Sequence, residues 1–419
     1  MAVATSSCGC LLPSRALNHS VRTRGSRAVF LRRVEWSVVL RPMRSPVLVH
    51  CSSNAAESTA EPKPNDDEEN EDDDDDKKAF ERLEQYIELN RGSWSGTFTQ
   101  YDCLGKVLAC IPIKLRANVY GKGEHLALYQ TLCVKQAESS TSFSGDAEDV
   151  QWLEFNLADL DSVTINQRHR VGYFGDEKAY CLSHLTAKVL DVVLRAGVLG
   201  ENDDEEQDYF PGVKLPCRRP ALVNESCMFS ASGNSRVRAF HVLNPQGLLD
   251  MIGVFHENKD GEAPESMRND CTGLDRLVGV WSGRAVTQRT GMYGSTIAEE
   301  YLDFRVDMND KSEITQTISS SSSSNSEAGA TNKQTNLTVK GMASGNLVRF
   351  TDGLQSTLLP GGMCITAPIS VGNCVKKSRS FFLEFAWIES PNQRRRIIRT
   401  YDTTGVVVST TLCNESKQI

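Results

Sequence analysis

Short runs of β-branched and aromatic residues, separated by Gly, Pro, Asn or Asp, cover much of the chain beyond residue 80. Runs of this length and spacing are typical of β-strands joined by turns. The clearest runs lie at residues 299–306, 381–388, 396–401 and 406–412. Gly247 and Gly405 each stand between two such runs and predict hairpin turns, because glycine adopts a positive φ without strain. The chain is therefore predicted to be mostly β.

Two patterns predict helices instead. A short helical pattern at residues 80–89 precedes the first predicted strand. Residues 176–196 present a broad apolar stripe at helical spacing and predict a longer helix. The stripe consists of Tyr180, Leu182, Leu185, Val189, Leu190, Val193 and Leu194. No run in the sequence reaches the roughly 20 apolar residues that a membrane-spanning helix needs, so we expect a protein that is not transmembrane.

An internal repeat organises the predicted strands, and a repeat decides architecture. Residues 92–96 and 279–283 both read G-x-W-S-G, and each follows a short helical pattern that ends in Leu. Later in each copy an Arg-rich run leads to a turn glycine. Aligning those two glycines superposes Glu257 on Glu415. The collinear order of these matches indicates a duplicated domain.

A middle match links residues 152–157 to 301–306, although the Tyr-Gly pair at 120–121 could instead match the pair at 293–294. Antiparallel strands that close on themselves form a barrel, which removes exposed sheet edges. We therefore predict two antiparallel β-barrels in tandem, with one added helix in the first. The predicted domains are residues 80–262 and 272–419.

Charge divides the N-terminal part of the chain into two further zones. Residues 1–50 hold eight Arg and a single acid, Glu35, and Arg interrupts every apolar run. Residues 1–51 are therefore predicted to be a chloroplast transit peptide, with a mitochondrial address or a nucleic-acid-binding arm as alternatives. Residues 52–79 are predicted to be a disordered acidic linker, because ten of the eleven residues 66–76 are acids that repel one another.

The tryptophan of each copy carries a family resemblance. A G-x-W on the first strand, after a short helix and with Arg on a late strand, resembles the calycin signature of lipocalins and their relatives. In that signature the indole closes one end of the barrel and a guanidinium stacks over it. The resemblance implies that Arg236 or Arg238 covers Trp94, and that a later arginine covers Trp281. The later candidates are Arg394, Arg396 and Arg399.

Tandem copies behind a plastid-like leader resemble a plant and cyanobacterial family of unknown function with calycin-like (lipocalin-like) domains. That family is distantly similar to the S-type phycobilin lyases, and the resemblance spans about residues 80–419. It implies barrels whose mouths can hold one small hydrophobic ligand, a tetrapyrrole or a lipid. Basic residues at the mouth would pair with the carboxylates of such a ligand.

The sequence offers little for catalysis. It has no Walker loop, no G-x-S-x-G elbow, no G-x-G-x-x-G and no H-E-x-x-H. All seven His lie at or before His256, so a His-dependent site shared by both copies is excluded. The His residues of the first copy lack metal-ligand spacing. Cys217 and Cys374 have basic neighbours that can lower a thiol pKa, which makes them the candidate nucleophiles. We predict no catalytic residue, no metal and no resident cofactor.

Three functions fit these observations. The first is a non-enzymatic chloroplast protein, in the stroma or at the thylakoid, that binds a tetrapyrrole or lipid in a barrel. The second is a protein-interaction factor in thylakoid complex biogenesis, with plastid proteins as partners. The third is an enzyme similar to a bilin lyase or isomerase, which needs a reactive acid or thiol inside a barrel. The mildly acidic core argues against nucleic acid as a partner.

Overall fold

The structure, a computed structural model, describes residues 69–122, 125–135, 152–157, 160–185, 221–262, 264, 273–292, 294–321 and 335–418. The predicted transit peptide, most of the predicted linker, Cys217 and the Tyr of the 293–294 pair lie outside these residues. Strands make up most of the described chain, which confirms the mostly β prediction.

The first domain begins with helix α1 (Glu69–Asn90) and continues as a ten-stranded antiparallel sheet. The strands are β1 (Gly92–Asp102), β2 (Val107–Tyr120), β3 (Ala127–Lys135), β4 (Trp152–Asn156), β5 (Leu160–Asp161), β6 (Gly172–Phe174), β7 (Ala179–Leu185), β8 (Leu222–Phe229), β9 (Ser235–Leu243) and β10 (Leu249–Lys259). Their order is β4-β3-β2-β1-β10-β9-β8-β7-β6, with β5 paired to β3. This sheet curls into a half-barrel.

The second domain is a closed antiparallel barrel of ten strands in chain order. The strands are β11 (Gly279–Arg289), β12 (Thr296–Met308), β13 (Glu313–Ser321), β14 (Thr335–Ser344), β15 (Leu347–Phe350), β16 (Leu354–Leu359), β17 (Met363–Pro368), β18 (Phe381–Ser390), β19 (Gln393–Tyr401) and β20 (Val407–Lys417). Helix α2 (Val371–Lys376) follows β17. Gly405 has a φ of +79° in the β19–β20 turn, and Gly247 has +74° in the β9–β10 turn, so both predicted hairpins are confirmed.

The two domains repeat the same strand neighbours around the tryptophan strand. β1 lies between β2 and β10, and β11 lies between β12 and β20. Residues 301–306 therefore lie on the counterpart of β2, whereas residues 152–157 lie on and just beyond β4, and the predicted middle match is wrong. The Tyr-Gly alternative is wrong too, because residues 120–121 end β2 whereas Gly294 precedes β12. Alternation alone does not distinguish one strand of a sheet from the next.

Helix α1 packs against the end of the first sheet that carries the tryptophan. Leu83, Tyr86 and Ile87 lie in one buried cluster with Trp94, which confirms the short helix predicted before the first strand. Because α1 begins at Glu69, it contains most of the acidic run predicted to be disordered. In the described residues no helix is long and apolar enough to cross a membrane.

The helix predicted at residues 176–196 is wrong where the structure describes it, because Ala179–Leu185 is strand β7. Tyr180 and Leu182 are buried against the α1 cluster, whereas Cys181 is buried on the opposite face, against the second domain. Burial on both faces removes the alternation of a half-exposed strand and imitates the stripe of a helix. Residues 186–196 lie outside the described part of the chain.

The two domains share a core built from their outer faces. Met228 and Val254 of the first sheet lie in one buried cluster with Phe385 and Leu412 of the barrel. Met292, from the β11–β12 connection, is buried in the core of the first domain. The closed barrel therefore supplies part of the packing that the open first sheet lacks.

Candidate functional site

A buried tryptophan lies beside α1 in the first domain. Nε1 of Trp94 donates a hydrogen bond to the carbonyl oxygen of Asn90, the last residue of α1, at 2.9 Å. The guanidinium carbon of Arg236 lies 3.9 Å from the centroid of the Trp94 ring. A cation–π contact of this kind contributes about 2 kcal/mol when it is desolvated.

Glu257 binds two arginines beside that tryptophan. Its Oε2 accepts hydrogen bonds from Nε of Arg236 at 2.7 Å and from Nε of Arg238 at 2.8 Å. Burial alone would raise the pKa of the Glu257 carboxyl, but the two guanidinium charges outweigh burial and hold the pKa below its ordinary value. The carboxylate therefore stays ionised and neutralises part of the buried positive charge.

The second barrel contains the same arrangement. Nε1 of Trp281 donates to the carbonyl oxygen of Leu277 at 3.0 Å, and the guanidinium carbon of Arg394 lies 4.7 Å from the Trp281 ring centroid. Glu415 accepts from Nε of Arg394 at 2.6 Å and from Nη2 of Arg396 at 2.7 Å. In each domain we call the buried tryptophan, its two arginines and their shared glutamate the Trp–Arg–Glu layer.

Strand register explains the spacing of the G-x-W-S-G motif. Glu415 lies opposite Gly283 on β11 and opposite Arg394 on β19. A Cβ at Gly283 would overlap the carbonyl oxygen of Asn414 on the neighbouring strand. The corresponding glycine of the first domain meets the same obstacle from β10. The second glycine of the motif therefore lets the glutamate strand approach the tryptophan strand closely enough to form the layer.

Each layer contains a second carboxylate that the sequence pattern did not predict. Glu225 lies 3.5 Å from Nη1 of Arg238, and Glu384 lies 3.4 Å from Nη1 of Arg396. Burial would raise the pKa of Glu225, but its hydrogen bond to His184 and the Arg238 charge lower the pKa to about 2. Each glutamate stands on the strand before the arginine strand. An acid at that place in both copies was the signal that could have revealed them.

Arg399 does not lie over a tryptophan. It is fully buried between the two domains and donates hydrogen bonds to the carbonyl oxygens of Cys181 at 3.3 Å and His169 at 3.2 Å in the first domain. Side chains alternate along a strand, so Arg394 and Arg396 face the barrel interior whereas Arg399 faces outward. Its role in this structure is to join the domains.

At the other end of the first sheet the interior side chains are aromatic and partly exposed. The ring centroids of Phe98 and Phe255 are 4.6 Å apart, and those of Phe240 and Phe255 are 5.4 Å apart. His184 stacks on Phe240 with 5.8 Å between centroids, and its side chain is 36% exposed. Nε2 of His184 lies 2.8 Å from Oε2 of Glu225. We call the three phenylalanines and His184 the aromatic end.

The second barrel has no counterpart of the three rings among its described residues. Counted from the shared tryptophan, arginine and glutamate, the matching positions hold Ala285, Ile398 and Cys413. Glu300 lies opposite Ala285, where the first domain has the apolar Ile111. The two domains therefore share the Trp–Arg–Glu layer but differ in the chemistry above it.

The interior thiols are not activated. Burial raises the pKa of Cys227, Cys364 and Cys413 to about 12. Cys374, predicted as a nucleophile, also has a raised pKa because burial outweighs its neighbouring Arg and Lys, which is the reverse of activation. The other predicted nucleophile, Cys217, lies outside the described residues. Within the described chain no group of three or more His, Cys, Asp or Glu is placed to hold a metal ion.

This geometry defines a two-domain β-barrel protein whose halves share one buried layer. Residues 269–418 match the family model described as the C-terminal domain of biogenesis factor required for ATP synthase 1. No curated protein matches the chain. The resemblance seen in the sequence, to a family of unknown function with tandem calycin-like domains, is confirmed.

Two of the solved structures that match the chain differ in how much of it they cover. One is a protein of unknown function from the DUF3598 family of Nostoc punctiforme, which is 19% identical with a TM-score of 0.53 and covers 80% of this chain and 98% of its own. The other is the S-type phycobiliprotein lyase CPES from Guillardia theta, which is 13% identical with a TM-score of 0.27 and covers 35% of this chain and 90% of its own. The first of these likenesses shows that the tandem fold occurs in another protein.

Proposed function

We propose that this chain is a non-enzymatic assembly factor that binds protein subunits during the biogenesis of an ATP synthase. The observation that carries the proposal is the match of residues 269–418 to the family described as a biogenesis factor required for ATP synthase 1. The matched residues include every strand of the closed barrel, from β11 to β20. The second domain is therefore the part in which we place the family's role.

The chemistry of the barrel interiors supports a binding role over a reaction. Glu257 and Glu415 are paired with arginines, and their lowered pKa makes them poor general bases. The buried thiols described above have raised pKa values, and a thiol rather than a thiolate is a poor nucleophile. The bilin lyase or isomerase alternative needs a reactive acid or thiol inside a barrel, so it has the least support.

A chloroplast location belongs to the same proposal. Residues 1–51 have the Arg- and Ser-rich, acid-poor composition of a transit peptide. The partners would then be plastid proteins in the stroma or at the thylakoid surface. Fusing residues 1–60 to a fluorescent protein tests the address. Import into chloroplasts is the expected result, and import into mitochondria only would overturn this part of the proposal.

The protein-binding role is tested with the purified full chain and individually expressed ATP synthase subunits. We expect the chain to co-elute with at least one subunit in size-exclusion chromatography. We also expect cells that lack the protein to accumulate less assembled ATP synthase. Failure to bind any subunit, together with a normal level of the enzyme in those cells, would overturn the proposal.

Two equally exposed tyrosines test which domain binds. Tyr301 of the barrel and Tyr120 of the first sheet are each 60% exposed. Tyr301→Ala is expected to weaken the complex, because Tyr301 lies in the family-matched domain, whereas Tyr120→Ala serves as the matched control. Equal effects of both variants would argue against placing the partner on the second domain.

The aromatic end favours a second candidate function, the binding of a small hydrophobic molecule by the first domain. Partly exposed aromatic rings around a polar group are the usual lining of a small-molecule site. A tetrapyrrole or a lipid, the ligands expected from the family resemblance, would occupy this end. The two functions are compatible, since they use different domains.

A further inference from the structure

We propose that the aromatic end of the first domain binds a planar aromatic molecule that donates a hydrogen bond from an N–H or O–H group to His184. The proposal rests on the second candidate function above and specifies its ligand. It favours a heteroaromatic or phenolic molecule over a fatty acid, whose carboxylate is an acceptor.

The duplication supplies an internal comparison for this site. Side chains needed only to build and close a barrel should recur in both domains, as the Trp–Arg–Glu layer does. Phe98, Phe240 and Phe255 do not recur, because the matching positions of the second barrel hold smaller, non-aromatic residues. The three rings are partly exposed. Phe98 and Phe255 also pack against a buried cluster of Ile111, Ile113 and Val134, so the remaining exposed ring surface is what a ligand could contact. We therefore assign the three rings, which the second barrel lacks at the matching positions, to a ligand of the first domain.

The geometry of the rings suits a flat aromatic ligand. Phe98 and Phe255 are tilted by 34° at a centroid distance of 4.6 Å, and Phe240 lies 5.4 Å from Phe255 at 58°. Aromatic groups attract one another in offset and edge-to-face arrangements over such distances. Gly253 leaves room for the Phe98 ring, because a Cβ at this position would lie 2.9 Å from Cε2 of that ring.

The bond between His184 and Glu225 decides which hydrogen-bonding group the ligand carries. The low pKa of Glu225 keeps this carboxylate ionised, so it accepts from Nε2 of His184. In the neutral imidazole a proton on Nε2 leaves Nδ1 as an acceptor. Nδ1 has no hydrogen-bond partner among the described residues. An N–H or O–H donor therefore complements His184, whereas a carboxylate or an ether does not.

Matched probes test this inference on the full chain at pH 8. 2-Naphthol has the O–H donor, and 2-methoxynaphthalene has the same ring system without it. We expect saturable binding of both, followed by fluorescence anisotropy, with 2-naphthol bound about tenfold more tightly because of one hydrogen bond. His184→Phe keeps the stacking on Phe240 and is expected to abolish the difference between the probes.

Further variants locate the bound probe. Phe240→Leu is expected to weaken both probes, whereas Ile398→Leu, at the matching position of the second barrel, is expected to change neither. Binding that is unaffected by Phe240→Leu would overturn the site.

Binding of the two probes to the wild-type chain distinguishes the donor requirement from the second candidate function, and it needs no variant. Equal affinity of the wild-type chain for the two probes would overturn the donor requirement and leave the second candidate function standing. Binding of neither probe would overturn the proposed aromatic ligand and leave only the lipid form of the second candidate function.

Discussion

Nε of Arg236 donates to Oε2 of Glu257 at 2.7 Å, and neither side chain is exposed to solvent. The same guanidinium donates from Nη1 to Oδ1 of Asn90 at 2.8 Å and stacks on Trp94. One side chain of β9 therefore links helix α1, the first strand and the last strand of the sheet. Arg394 makes the corresponding bond in the barrel at 2.6 Å.

Arg236→Ala tests how much this link stabilises the fold. Removing one partner of a buried ion pair leaves an incompletely neutralised charge, and we expect the free energy of unfolding to fall by about 3–5 kcal/mol. Urea denaturation followed by tryptophan fluorescence measures the loss. Arg284→Ala is the control, because Arg284 pairs with Glu299 at the surface, where solvent screens the interaction. A loss no larger than that of the control would contradict a stabilising role for the layer.

Gly283→Ala tests the close approach of β11 and β20. The added Cβ would overlap a backbone carbonyl of the neighbouring strand, so the two strands must move apart and weaken the Glu415 contacts. We expect the melting temperature to fall by about 10 °C or more. Gly273→Ala is the control, because Gly273 has a φ of −69° and nothing closer than 4.0 Å to the added Cβ. Equal melting temperatures of the two variants would contradict the register argument.

Arg399→Met tests whether the buried guanidinium couples the domains. Methionine retains the apolar bulk of the side chain but lacks the guanidinium donors of Arg399. The carbonyl oxygens of Cys181 and His169 then lose these hydrogen bonds and are left as unsatisfied buried acceptors. We expect hydrogen exchange to accelerate in β7 and β19 by about tenfold or more. Arg349→Met, at an exposed position of the barrel, should leave exchange in both strands unchanged. Unchanged protection of β7 in Arg399→Met would show that Arg399 is not needed to couple the domains.

The buried imidazole of His241 is expected to make the free energy of unfolding depend on pH. Its Nε2 donates to the carbonyl oxygen of Glu384 at 3.2 Å, and burial lowers its pKa from 6.5 to about 4. Above about pH 6.5 the imidazole is neutral in both the folded and the unfolded chain. In that range it does not make the free energy of unfolding depend on pH. As the pH falls from 6.5 towards 4, the unfolded chain binds a proton that the folded chain does not, so stability falls. Below pH 4 this group causes no further loss.

The measurement compares the free energy of unfolding at pH 7 and pH 5. We expect His241→Gln, which can still donate to Glu384 but does not titrate, to lose about 1–2 kcal/mol less than the parent protein over this range. His125→Gln, at an exposed position, should show the full pH dependence of the parent. A pH dependence in His241→Gln equal to that of the parent would rule out His241 as its source.

Much of this fold was predictable because its signals are local. Strand alternation, turn glycines and the doubled G-x-W-S-G motif depend on neighbouring residues. They predicted the mostly β class and the two tandem domains. The helix predicted over Tyr180 and Leu182 failed because β7 is buried on both faces, and one of those faces is buried by the other domain. Periodicity cannot reveal such two-sided burial.

The sequence by itself determined the duplication, the tryptophan of each copy and the arginines that could cover it. Only the tertiary structure decided which arginine stacks on which indole, that Arg399 joins the domains, and that Glu225 and Glu384 complete the layers. It also placed three phenylalanines and His184 together in the first domain, at an end where the barrel has Ala285, Ile398 and Cys413. The physical reason is that ion pairs and ring contacts form across strands far apart in the chain, and register and strand face decide them.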